Sequence, residues 1–172
     1  MKPSQNIYSL GIDFGTESAR TVLVDNVTAK IIATSVFQYD CGVIDRHLPH
    51  EGIPLPMNWA LQNSFDWLYA LERSVKSVLS QCEVKPESII GIGVDFTSST
   101  ILPTTRDGTP LFQLERFRKE PHAWPKLWKH HAAQPQADRA TKIAEQRSEK
   151  WLSRCGGRID SEWIIPKALQ ML

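Results

Sequence analysis

A carboxylate, a glycine, two hydroxyls and an arginine fall within eight residues near the start of the chain: Asp13, Gly15, Thr16, Ser18 and Arg20. That set suits an anion with a metal ion beside it. A glycine lets backbone amides come close to a phosphate. The Thr16 and Ser18 hydroxyls can donate to phosphate oxygens, and Arg20 offers a planar fork of N–H donors. Asp13 would hold a hydrated magnesium ion rather than touch phosphate itself. A plain surface hairpin with a glycine turn would also carry such residues.

A second group stands at Thr97, Ser98, Ser99 and Thr100, directly after the apolar run Ile89–Asp95. Ligands of open α/β sheets gather beyond the carboxyl ends of strands. Four hydroxyls there suit hydrogen bonds to a polyol, or simply form a Ser/Thr turn. His47 and His50 lie three apart but lack a further His, Cys or acid cluster, and read as part of a surface loop.

The elements that must position these groups follow from patterning. Residues 7–12, 19–24 and 31–37 are rich in Ile, Leu and Val and predict a three-stranded antiparallel meander with the Gly15 turn at one end. Residues 40–58 are broken by glycines and prolines and predict a long loop. Asn63 predicts an N-cap for a helix over 63–82, with Leu68, Leu71, Val75, Val78, Leu79 and Cys82 as its apolar stripe. Residues 89–95 are almost wholly apolar and predict a central parallel strand buried on both faces. The helix and this strand make a crossover unit. Residues 101–104 predict a short strand. Trp124, Leu127, Trp128, His131 and the Ala132-Ala133 pair predict an amphipathic helix with a basic outer face. Residues 135–154 predict a second, polar helix; Gly156-Gly157 stops it, and a last helix begins near Ser161.

Composition narrows the classes. A chain of 172 residues with 41% hydrophobic and 23% charged residues is ordinary for a globular protein. Its net charge of +1 gives no global pull toward nucleic acid or an anionic membrane. Residues 115–154 interleave Lys and Arg with Trp124, Trp128 and Trp151, as nucleic-acid binders do, but helical spacing accounts for them. Three cysteines far apart read as reduced thiols. No secretory signal or membrane span is read, so a cytoplasmic location is expected.

The pattern Asp13-x-Gly15-Thr16-x-Ser18-x-Arg20 resembles the first phosphate-binding element of the actin-like ATPase superfamily, in its carbohydrate kinase branch. Gly93 to Thr100, Leu127 to His131, and Ser161-Glu162-Trp163 with Pro166-Lys167 resemble the ribulokinases. The resemblance implies an α/β, ribonuclease H-like fold, here an incomplete first lobe. Residues 7–104 would be its sheet-and-helix core and 105–172 a mainly helical insertion and sugar-side region. It implies ATP and Mg2+ as cofactors and L-ribulose or a related ketopentose as substrate. The reaction would be phosphorylation of L-ribulose to L-ribulose 5-phosphate in L-arabinose catabolism. By the same resemblance Asp13 takes the magnesium and phosphate side, Gly15, Thr16, Ser18 and Arg20 bind phosphate, and Ser98 and Ser99 fall where relatives touch the sugar. Several sugar kinases carry a Trp-x-Asp-x-Arg element where this chain has Glu120 and His122. The general base and adenosine pocket match no residue here, so the expectation is an N-terminal fragment, inactive alone and inclined to self-associate, with no nucleic-acid or membrane partner. The alternative is a non-catalytic actin-like half domain that serves as a binding module.

Overall fold

The computed structural model describes residues 7–172. They form two compact units: residues 7–42 with 64–97, and residues 43–63 with 98–172.

The first unit is a four-stranded sheet with one helix. Strands β1 (Tyr8–Phe14), β2 (Ser18–Asp25) and β3 (Lys30–Gln38) form the expected antiparallel meander. After helix α1 (Ser64–Ser80) the chain returns as β4 (Ile89–Phe96), parallel to β1. The order across the sheet is β3-β2-β1-β4. Alternation divides the faces. Leu10, Ile12, Ala19, Thr21, Leu23 and Ala33 point to the buried side, where Val78 of α1 joins Leu10, Leu23 and Ala33 in one cluster. Ala70 joins Ala19 and Tyr39 in a second.

The helix lies against β2 and β3. Its buried line is Ala70, Ser74 and Val78, with Trp67, Val75 and Cys82 partly covered, whereas Leu68 is 64% exposed. The expected stripe is therefore rotated. Small residues let the helix approach closely enough for the buried Ser74 Oγ to meet Thr21 Oγ1 at 2.7 Å. Asp66 reaches back and accepts a hydrogen bond from the Cys41 N–H at 3.0 Å.

Strand β4 corrects the expectation of a central strand buried on both faces. It is an edge of the sheet, and Ile90, Ile92, Val94 and Phe96 are 63%, 64%, 56% and 69% exposed. Gly91 and Gly93 alternate with them. A glycine adds no polarity to a hydropathy pattern, so a one-sided apolar strand imitates a two-sided one.

The second unit has little regular structure. Isolated bridges join Ile44 to Leu61, Leu61 to Lys126, and Lys126 to Ile101. The residues 101–104 expected as a strand make single bridges at Ile101 and Thr104 only. The helix expected over 124–133 is absent: Pro121–Ala123 is one 3-10 turn, and the chain is extended through Trp124 and Lys126. The amides there are spent on distant backbone instead: the Lys126 N–H donates to the Ile101 carbonyl and the Leu127 N–H to the Ala60 carbonyl, both at 2.9 Å, while Pro125 holds its predecessor extended. The polar helix is shorter than expected: α2 spans Gln134–Gln146, and a 3-10 turn covers Leu152–Cys155. Gly156 and Gly157, at φ 73° and 80°, end it in the left-handed region where glycine is favoured. The last helix, α3, is Ile164–Gln170. No helix among the described residues is long and apolar enough to cross a membrane.

Candidate functional site

The β1–β2 turn brings five of the expected residues together at one end of the sheet. Asp13 and Arg20 are direct partners across the antiparallel ladder. That register puts Arg20 Nη1 2.7 Å from Asp13 Oδ2, with both side chains about half exposed at 58% and 44%. The turn closes when the Gly15 N–H donates to the Ser18 carbonyl at 2.9 Å. A Cβ on Gly15 would lie 3.0 Å from that oxygen and 3.4 Å from Arg20 Nη1, so a side chain here would press on the turn's backbone. The Gly15 amide is thus used within the turn. The Tyr39 N–H donates to the Glu17 carbonyl at 2.9 Å and ties the turn to the end of β3. Thr16 is half-buried and Ser18 is buried.

A sixth residue belongs with these and was missed in the sequence. Asp95 of β4 is the parallel partner of Asp13. Arg20, Asp13 and Asp95 therefore form a row across β2, β1 and β4. The row stands near the carboxyl ends of the two parallel strands, where open α/β sheets receive ligands. Asp95 Oδ1 accepts from the Phe96 N–H at 2.9 Å. The signal was present as a repeat: Gly11-Ile12-Asp13-Phe14 and Gly93-Val94-Asp95-Phe96 are the same pattern, and the two stretches pair in register. A groove of about 660 Å³ runs over this face, lined among others by Gly11, Asp13, Arg20, Val36, Gly93 and Asp95.

The Tyr39 hydroxyl is buried without a hydrogen-bond partner among the described residues. Burial first, and then the charges of Asp13 and Asp66, push its pKa up, so it stays a neutral phenol.

Ser98 and Ser99 belong to the second unit. Ser98 is exposed and Ser99 half-buried, and Ser99 has φ 58°, in the left-handed region. Within that unit lies a basic, aromatic group that the sequence reading did not single out. Trp59 meets His122 and His130 edge-on, each at 4.9 Å, and Lys126 Nζ sits 4.8 Å from the Trp59 ring centre. Lys126 is 0% exposed, and among the described residues its ammonium has no hydrogen-bond partner. Desolvation pulls its pKa down to about 8, against the opposing pull of Glu120. The indole face offsets part of the cost of burying that charge. Desolvation also draws His130 down to about 4. The Ala60 N–H donates to His130 Nδ1 at 3.2 Å, so the ring proton sits on Nε2 and faces Gln170 Oε1 at 2.9 Å.

A strand meander, a crossover helix and a parallel fourth strand thus carry an acid–glycine–hydroxyl–arginine turn at one end of the sheet. The model of the FGGY family of carbohydrate kinases, N-terminal domain, matches residues 8–155, and the chain belongs to that family. Such kinases use ATP and a divalent metal in general. Among curated proteins the chain is 51% identical to a ribulokinase of Bacillus licheniformis over 154 residues, 90% of this chain and 28% of that protein. It is 46% identical to a ribulokinase of Halalkalibacterium halodurans over 165 residues, 96% of this chain and 29% of that one. The chain therefore spans less than a third of the length of these relatives. Among solved structures it resembles a xylulose kinase from Brucella ovis, with TM-score 0.70 and 16% identity over 95% of this chain and 28% of the other. A Plasmodium falciparum glycerol kinase solved with ADP gives TM-score 0.60 and 14% identity, covering 96% and 28%. The fold is that of the actin-like ATPases, as expected from the sequence.

Proposed function

We propose that this chain supplies the N-terminal part of an ATP-dependent ribulokinase, holding the phosphoryl end of ATP at the Asp13–Arg20 turn and a ketopentose, L-ribulose, on the side of residues 98–172. The observation that carries the reading is the row Arg20–Asp13–Asp95 at the carboxyl edge of the sheet. Identity of 51% to a ribulokinase over 90% of this chain supports the sugar.

The residues fit a hydrated magnesium ion. A metal bound through water needs a carboxylate that water reaches, and Asp13 is 44% exposed, with one oxygen paired to Arg20. Asp13 would hold the ion's water shell, with Asp95 as a second carboxylate beside it. When bound, magnesium neutralises charge on the transferring phosphoryl group. Arg20, paired through one nitrogen only, keeps further N–H donors for phosphate oxygens, and its bond to Asp13 fixes the fork's orientation. Thr16 and Ser18 would add hydroxyl donors. Ser98 and Ser99 would hydrogen-bond the sugar. The chain spans less than a third of the ribulokinases it matches, and by itself it is expected to release no ribulose-dependent ADP.

A chimera tests this. Residues 1–172 replace the matching segment of the Bacillus licheniformis ribulokinase, and L-ribulose-dependent ADP release is measured. Activity within about tenfold of the parent is expected. Asp13→Ala in the chimera should lower kcat by about a hundredfold or more with little change in the KM for L-ribulose. A folded chimera without activity would overturn the reading and leave the chain a non-catalytic binding module.

A further inference from the structure

Helix α3 is built with its polar side inward. Ile164, Ile165 and Leu169 are 53%, 65% and 46% exposed, whereas Lys167 is 0% exposed. Beside the buried Pro166, the polar groups the helix turns inward are aimed at backbone. Lys167 Nζ donates to the carbonyls of Leu127 at 2.8 Å, Ser99 at 2.9 Å and Trp128 at 3.0 Å. One turn on, Gln170 Nε2 donates to the Ala132 carbonyl at 2.9 Å while its Oε1 faces His130 Nε2. An ammonium has three N–H groups and accepts nothing, so three carbonyls saturate it. A methionine would fill the same volume without burying a charge. What the ammonium adds is a fixed relation between the 127–128 backbone and Ser99, whose φ of 58° is unfavourable for a residue with a Cβ.

We propose that Lys167 is a positioning residue for the sugar: its ammonium holds the turn at Ser98–Thr100 in its left-handed form against the Leu127–Trp128 backbone, and so fixes where the Ser98 and Ser99 hydroxyls stand. The proposal rests on the sugar-side reading above. Lys167 itself touches no substrate and acts through the turn. The charged and titratable groups that bear on it are Glu162 and Asp160, just ahead of α3, and Lys126 and His130, on the segment against which α3 packs. Desolvation lowers the Lys167 pKa to about 8. Above that pH a neutral amine keeps two N–H groups for three carbonyls, and one carbonyl is released.

Carbonyl-labelled 172-residue chain, followed by NMR from about pH 7 to about pH 9 and titrated with L-ribulose, tests the proposal. The Ser99, Leu127 and Trp128 carbonyl signals should titrate together with the Lys167 side chain. L-ribulose binding should weaken by about threefold or more over the same range while the protein stays folded. Lys167→Met should weaken L-ribulose binding by about tenfold, and Lys167→Arg should restore most of it. A lysine with a merely structural role would change the melting temperature and leave sugar affinity in the folded protein alone. Equal L-ribulose affinity in the wild type and Lys167→Met overturns the proposal, as do carbonyls that titrate apart. If Lys167→Met does not fold, the wild-type pH series decides. Wild-type chain that binds no L-ribulose at any pH overturns the sugar-side reading instead, and the carbonyl titration then decides alone whether Lys167 holds the turn.

Discussion

At the scale of single residues, identity was easier to read than partnership. Asp13 and Arg20 stand out in the sequence, but their ion pair depends on the β1–β2 register, which a list of residue types does not contain. Asp25 shows the same gap. Its type alone says nothing of its surroundings, in which it is 6% exposed and its Oδ1 accepts from the Val27 and Thr28 amides at 2.8 and 3.1 Å. The Val27 bond is the leading cause that holds its pKa below the usual carboxylate value. A folded-state pKa below the unfolded one adds stability above the unfolded value near 4, and this is lost as pH falls. Asp25→Ala should therefore lower the melting temperature at neutral pH and make less difference in acid. His130 is a neutral counterpart: buried, and held near pKa 4. As pH falls from about 6.5 toward 4, the unfolded chain takes up a proton that the folded chain refuses, removing up to about 1.4 kcal/mol per pH unit. Melting curves from about pH 7 to about pH 5 should show that loss, and His130→Asn should flatten it.

At the scale of elements, the strands of the meander were legible because alternation and β-branched residues fix them locally. The face of α1 was not, because the sheet asks for closeness as well as apolarity, and small Ala70 and Ser74 supply it. Substitution separates the two readings. Ala70→Leu, at a fully buried site, should cost about 1–3 kcal/mol by overpacking. Leu68→Ser, on the stripe expected from spacing but 64% exposed, should stay within about 0.5 kcal/mol of wild type. Chemical denaturation of the two variants makes the comparison. The segment 124–133 is not a helix because its amides bond the Ile101, Ala60 and Asn58 carbonyls, pairings distant in sequence that helical spacing does not contain. Helix α3 was legible as a helix but not in its orientation, because its buried side carries Lys167 and Gln170, which a hydropathy pattern places in solvent.

At the scale of the whole molecule, the sheet has a bare margin. The stripe Ile90, Ile92, Val94 and Phe96 lies on an edge strand that the described residues leave largely exposed. Exposed apolar edges pair with other chains. The 172-residue chain should therefore self-associate with rising concentration in sedimentation velocity, and Ile92→Lys with Val94→Lys should suppress this. The same strand governs the order of assembly in time. Each turn of the β1–β3 meander joins neighbours in sequence, whereas β4 must find β1 from far along the chain, Tyr8 pairing with Ile89. Distant pairings carry the larger loop-closure entropy and slow the search. In pulse-labelled refolding, amides of Ser18–Asp25 should gain protection before those of Ile89–Phe96. Asp13 and Asp95 should then come side by side only in that later step, so the paired carboxylates are expected to be the last part of the sheet to form.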